Sequence, residues 1–213
     1  MILSLVPKSR SVCDIGTDHG YVPIALYEKG LADKIIATDI NRGPLSQAQK
    51  NIEAFSLSSN IETRLSDGFS NLLYGEADTA IIAGMGGELI ARIMKTDKGT
   101  EKFVLQPQTM HRELREFLYE NGYSIEKEAV CRETRKMYVA MLVVKKASQP
   151  LSRVECEIGP CLIAERPPLF ADYVRYRLYE IESILKKMGS SVSDKKEEYL
   201  ALKAEYERLI ENG

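Results

Sequence analysis

Through about residue 146 the chain alternates short, densely apolar runs with amphipathic stretches, and that alternation constrains its fold more than any other feature. Ser11–Ile15 reads as a buried strand, followed by a glycine-bearing turn and a helix over Tyr21–Lys29. Lys34–Asp39, Ile61–Leu65 and Thr79–Ala83 are expected as strands two to four, with helices over Pro44–Phe55 and about Glu88–Lys95. Thr79–Ala83 is apolar at nearly every position, as a strand covered on both faces should be. A fifth strand, Lys102–Gln106, precedes a helix over His111–Asn121 that should stop at Gly122. Tyr123–Val130 and Lys136–Val144 are separated by a few polar residues, and that closeness predicts an antiparallel pair closing a mostly parallel sheet. A doubly wound α/β unit of this kind binds its ligands at the carboxyl ends of its strands.

After Lys145-Lys146 the pattern changes, which divides the chain into residues 1–147 and 148–213. Ser148–Pro168 is proline-bearing and reads as irregular, with Gly159-Pro160 and Pro167-Pro168 as turn signals. Phe170, Tyr173, Arg177, Ile181, Ile184 and Met188 then recur at three- and four-residue steps, as do Tyr199, Leu202, Tyr206 and Leu209. Interrupted at Gly189-Ser190-Ser191, the two stripes predict an antiparallel, coiled-coil-like helical hairpin. Its tyrosines are expected to pack in the seam, with nucleobase stacking as the sharper alternative.

Composition narrows the function classes. With 44% apolar and 28% charged residues the chain is ordinary globular protein, which excludes wholesale disorder. No apolar run approaches the roughly 20 residues of a membrane-spanning helix, and Met1–Pro7 lacks the basic start of a signal peptide. A soluble, cytoplasmic protein is the expectation. The 29 basic and 31 acidic residues nearly cancel, so any nucleic-acid contact must come from local patches. Cys13, Cys131, Cys156 and Cys161 form no CxxC pair and only two histidines are present, so neither a metal site nor a disulfide framework is expected. Cys13 should be a small buried hydrophobe. Oligomeric state is left open, a monomer being compatible.

The chemistry concentrates at the first turn, Asp14-Ile15-Gly16-Thr17-Asp18-His19-Gly20-Tyr21. Gly16 and Gly20 let the backbone approach a ligand where a Cβ would collide. Their GxxxG spacing departs from the GxGxxG dinucleotide fingerprint. Asp14 and Asp18 put two carboxylates at the turn, which would repel a diphosphate but suit a ligand bearing an ammonium group. S-adenosyl-L-methionine therefore fits better than NAD. Asp39 ends the second strand, where a carboxylate can accept both ribose hydroxyls, with Asn41 close enough to help. After the third strand, Ser66-Asp67-Gly68 offers Asp67 to an adenine amine. After the fourth, Ala83-Gly84-Met85-Gly86-Gly87 surrounds one methionine with small residues. An Asp at a strand end or a glycine run is commonplace alone. Four such features at the ends of four consecutive predicted strands point to a nucleoside-containing cofactor.

The motifs D-I-G-T-D-H-G-Y-V-P-I, T-D-I-N, I-A-G-M-G-G-E-L-I and L-Q-P-Q resemble those of the bacterial tRNA (adenine-N1)-methyltransferases that modify position 22 in the D-arm. The resemblance runs through the G-P-C-L segment into the tail. It implies a Rossmann-like class I methyltransferase domain with a mostly parallel seven-stranded sheet, a small C-terminal helical domain, S-adenosyl-L-methionine as cofactor and tRNA as partner. Asp14, Gly16, His19 and Gly20 match the family's first cofactor motif, Asp39 its ribose position, Asp67 and Gly68 its adenine end, and Gly84-Met85-Gly86 the floor beneath the methyl. Ile40 and Asn41 complete the T-D-I-N stretch. Asp18 aligns with the aspartate proposed as catalytic. The sequence departs from the family in its shorter start and in Gln108, where Asn is common.

Methyl transfer is an in-line displacement, so alignment of the reacting atoms is the protein's main task. Adenine N1 carries a lone pair and no proton and needs no general base. Asp18 is therefore expected to hydrogen-bond the exocyclic amine and stabilise the positive charge, and His19 to position rather than carry protons. Methyltransferases of exocyclic amines or glutamine usually carry an Asn/Asp-Pro-Pro-aromatic motif after strand four, which Ala83-Gly84-Met85-Gly86 lacks. A small-molecule acceptor would suit the same fold, as would a non-catalytic RNA-binding module served by the basic residues from Arg92 to Arg177.

Overall fold

A computed structural model describes residues 1–188 and 193–211. Seven strands, β1 (Ser9–Ile15), β2 (Ala32–Asp39), β3 (Ile61–Leu65), β4 (Thr79–Gly86), β5 (Lys102–Thr109), β6 (Ser124–Glu133) and β7 (Lys136–Val144), form one sheet in the order β3-β2-β1-β4-β5-β7-β6. The pairs among β1 to β5 are parallel, and β7 runs antiparallel to both β5 and β6, as the short β6–β7 connection requires.

Successive residues along the central strands face opposite sides, so each strand supplies two cores. Cys13, Ile82 and Leu105 point to one side, beneath α4 (Gly87–Met94) and α5 (His111–Glu120), which contribute Ile90, Leu114 and Leu118. Val12, Ile81 and Val104 point to the other, beneath α1 (Ile2–Leu5), α2 (Tyr21–Glu28) and α3 (Arg42–Ala54), which contribute Leu5, Leu26 and Ile52. Cys13 is fully buried and its thiol is pushed up, chiefly by that burial. As expected, α5 ends ahead of Gly122, which adopts a left-handed φ of 75°.

Three departures from the sequence expectations have local causes. β4 runs past Ala83 to Gly86 because a bulge at Gly84 (φ 79°) absorbs the break in register. β5 continues beyond Gln106 to Thr109, since its pairing with β7 ends at Leu105 and Pro107 has no partner there awaiting an N–H. The segment 148–168 is not irregular: it holds α6 (Arg153–Ile158) and α7 (Pro160–Glu165). Ser152 and Glu155 form a capping box at the start of α6, and Gly159-Pro160 is a helix boundary with proline at the first position of α7.

α8 (Phe170–Met188) and α9 (Asp194–Glu211) run antiparallel, Glu182 meeting Lys203 at 2.9 Å and Arg166 donating to the Leu209 carbonyl at 3.2 Å. The expected interruption at Gly189-Ser190-Ser191 lies outside the described residues. Phe170, Tyr173, Ile181, Leu202 and Tyr206 pack as expected, whereas Arg177 joins Glu157 at 2.9 Å and Ile184 is exposed. These helices, with α6 and α7, share a core with Met137 and Val139 of β7. Among the described residues no helix is long and apolar enough to cross a membrane.

Candidate active site

The sheet order reverses between β1 and β4, and the carboxyl ends of β1 to β4 surround that switch point. The β1–α2 turn is built from left-handed residues, Gly16 (φ 75°), Asp18 (φ 52°) and Gly20 (φ 73°). The amides of Gly16 and Thr17 donate to the Thr38 carbonyl at 2.9 and 2.8 Å, which lashes the turn to the end of β2. A Cβ on Gly20 would stand 3.2 Å from that of Ala48 on α3, so glycine allows this close packing. At Gly16 an added Cβ would overlap Cε of Met85, which reaches across from β4.

Asp39 is the hub. Its Oδ2 accepts the Asp18 amide at 3.3 Å and its Oδ1 the Asn41 amide at 2.8 Å. Each oxygen retains a lone pair for a further donor. Asn41 is the N-cap residue of α3 but makes no side-chain cap bond, and its neighbour Ile40 is exposed. Asp14 is almost wholly buried, and that burial pushes its carboxyl up to about 7, reinforced by the neighbouring Asp39 carboxylate. His19 and Asp18 lie exposed, 3.4 Å apart, and the His19 ring stacks on Tyr21 at 5.8 Å. Asn51 of α3 donates to the His19 carbonyl at 2.8 Å.

Ser66 fastens the third loop to this hub, its amide donating to the Asp39 carbonyl at 2.9 Å and its hydroxyl to the Gly68 carbonyl at 2.8 Å. Asp67 is exposed on that loop and Gly68 takes a left-handed φ of 53°. On the other side the Gly84 amide donates to Oε1 of Gln106 at 3.0 Å. Asp14, Gly16, Asp18, His19, Gly20, Asp39, Ile40, Asn41, Asp67, Gly68, Gly84, Met85 and Gly86 thus line one crescent along four strand ends.

Gln106, within the L-Q-P-Q motif, also shapes this site, although its residue type alone does not mark it out. The available signal was a polar residue closing an apolar strand, and it is in fact buried at 5% exposure.

This sheet order, with its strand-end loops gathered at the reversal, is that of the Rossmann-like methyltransferase fold. The family model described as tRNA (adenine(22)-N(1))-methyltransferase matches residues 12–209, and the chain belongs to that family. The tRNA (adenine(22)-N(1))-methyltransferase of Bacillus subtilis is 30% identical over 200 residues, covering 89% of this chain and 84% of the relative. The structure of Streptococcus pneumoniae Sp1610 in complex with S-adenosyl-L-methionine matches with a TM-score of 0.87 at 28% identity, covering 98% of this chain and 96% of that one. Mycoplasma capricolum TrmK, solved with S-adenosyl-homocysteine, matches with a TM-score of 0.78 at 27% identity, over 99% and 94% of the two chains. The resemblance carried by D-I-G-T-D-H-G and A-G-M-G-G is borne out.

Proposed function

We propose that this chain transfers the methyl group of S-adenosyl-L-methionine to N1 of adenine 22 in tRNA. The family match over residues 12–209 carries the reading, because it spans the crescent and the helical tail alike. The crescent's own chemistry fits that cofactor. Asp39 is a carboxylate oriented by two backbone amides, suited to a pair of ribose hydroxyls. At Gly16 the backbone is bare apart from the movable end of Met85. The cofactor's sulfonium supplies an electrophilic methyl group.

In this reading Asp39, with Ile40 and Asn41, holds the ribose, and Asp67 and Gly68 receive the adenine end. Asp14, Gly16, His19 and Gly20 hold the amino-acid end, while Gly84, Met85 and Gly86 form the floor under the methyl. Asp18, held in its left-handed conformation beside Asp39, places negative charge where the methylated ring becomes positive. Residues 1–147 perform the transfer in the cytoplasm, and residues 148–213 grip the body of the tRNA, recognised by shape.

Incubation with labelled S-adenosyl-L-methionine and unmodified bacterial tRNA, followed by nuclease digestion and mass spectrometry, tests this. The expected labelled nucleoside is 1-methyladenosine. Cofactor binding without any labelled tRNA would move the search to other acceptors.

A further inference from the structure

Beside the crescent, on the side away from Asp39, a cleft of about 350 Å³ lies between α1 and the ends of β5, β6 and β7. Its size falls within the range of about 300–1,000 Å³ typical of small-ligand sites. Gln106, Gln108, Cys131, Glu133 and Tyr138 line it. Gln106 and Gln108 are two apart on β5 and share a face of the sheet, and Tyr138 stands directly across from Cys131 in the β6–β7 ladder.

The carboxamides in this cleft have fixed orientations. Gln106 Oε1 accepts the Gly84 amide at 3.0 Å and Nε2 of Gln108 at 3.2 Å, while Gln106 Nε2 donates to the Pro107 carbonyl at 3.0 Å. Turning Gln106 over would set its NH2 against the Gly84 amide donor and its oxygen against the Pro107 carbonyl. Gln108 must in turn present its NH2 to Gln106, which leaves its own Oε1 as the outward acceptor. One buried residue thus couples the loop under the methyl floor to an acceptor oxygen at the cleft wall.

We propose that this cleft receives the acceptor adenine, with Gln108 Oε1 accepting a hydrogen from its exocyclic amine and Tyr138 packing against the ring. The inference rests on the adenine-N1 reading above and deepens it. The amine neighbours N1, so a bond to Gln108 orients the N1 lone pair toward Gly84 and Met85, and its second hydrogen remains for Asp18. As N1 is methylated the amine becomes a stronger donor, so the bond tightens in the transition state. Guanine places a carbonyl where adenine has the amine. Oxygen would then face oxygen, and the same residue rejects guanine.

The test is a chemical double-mutant cycle. Wild-type protein and Gln108→Ala are assayed on tRNA carrying adenosine or purine riboside, which lacks the amine, at the acceptor position. Calorimetric binding of S-adenosyl-L-methionine to both proteins controls for folding. The wild type should lose at least ten-fold more rate than Gln108→Ala on removal of the amine, and Gln108→Asn should restore part of the sensitivity. Tyr138→Ala should slow transfer about ten-fold, and Tyr138→Phe, which restores the ring, should recover most of that loss. An equal penalty for purine riboside in wild type and Gln108→Ala would overturn the assignment. Absence of methyl transfer by the wild type to adenosine-bearing tRNA, with cofactor still bound, would instead overturn the underlying reading.

Discussion

Arg115 of α5 and Glu128 of β6 meet at 2.8 Å with neither side chain exposed to solvent, and each also binds one side of the α6–α7 junction. Arg115 donates to the carbonyls of Cys156 and Ile158 at 2.8 and 3.3 Å, capping the end of α6. Glu128 accepts the amides of Cys161 and Leu162 at 3.0 and 3.4 Å, capping the start of α7. The cation stands at a helix C-terminus and the anion at an N-terminus, the favourable arrangement for both dipoles. Between them Gly159, at φ 123°, has no room for a Cβ against the Glu128 carboxylate. This buried ion pair therefore fastens the helical tail to the sheet.

Removing one partner strands the other as a buried, unpaired charge. Glu128→Ala should lower unfolding free energy by about 3–5 kcal/mol, measured by urea titration. A loss below about 1 kcal/mol would show that the pair is not the fastening described.

The two aspartates joined through Asp39 Oδ2 and the Asp18 amide should separate binding from rate. Asp39→Ala should weaken S-adenosyl-L-methionine binding by about 10–100-fold, through loss of the proposed ribose contacts and loosening of the turn. Asp18→Ala keeps the amide that Asp39 uses, so its cofactor affinity should stay within about three-fold while methyl transfer slows by 10-fold or more. Calorimetry and single-turnover rates distinguish them. An Asp18→Ala protein at full rate would remove Asp18 from the chemistry.

Asp14 gives the site a pH dependence. Its carboxyl lies at 3.8 ordinarily and is raised to about 7 in the folded protein. Between these values the folded state holds a proton that the unfolded state has released, so this group's contribution to stability declines as pH rises through that window and is level above it. Binding of an ammonium-bearing cofactor favours the ionised form, so affinity should increase about ten-fold from pH 6 to pH 8 and release protons. Calorimetry in buffers of different ionisation enthalpy reads both effects, and Asp14→Asn should abolish the slope. An unchanged slope in Asp14→Asn would place its origin elsewhere.

Most of the parallel sheet was legible because its strands carry dense apolar runs between punctuating glycines, as in Val12–Ile15 ahead of Gly16. The placement of the candidate crescent was legible because Asp39 and Gly84 could be assigned to strand ends by order alone, the positions at which α/β sheets bind ligands. Gln106 was not, because its one signal, a polar residue closing an apolar run, is equally what a strand's solvated end looks like. The pairing of Arg115 with Glu128 depends on helix and strand packing, which helical spacing does not encode. α6 and α7 were hidden by their brevity, although Ser152 and Glu155 carried the capping signature. Met85, read as part of a small-residue floor, proves to reach across to Gly16, a side-chain direction that follows only from the bulge in β4.

The most direct test of the central claim uses two tRNAs identical except at position 22, one with adenine and one with guanine, each incubated with the protein and labelled S-adenosyl-L-methionine. Labelled 1-methyladenosine from the first and none from the second is the predicted result. Equal label in both tRNAs, or label recovered as N6-methyladenosine, would contradict it.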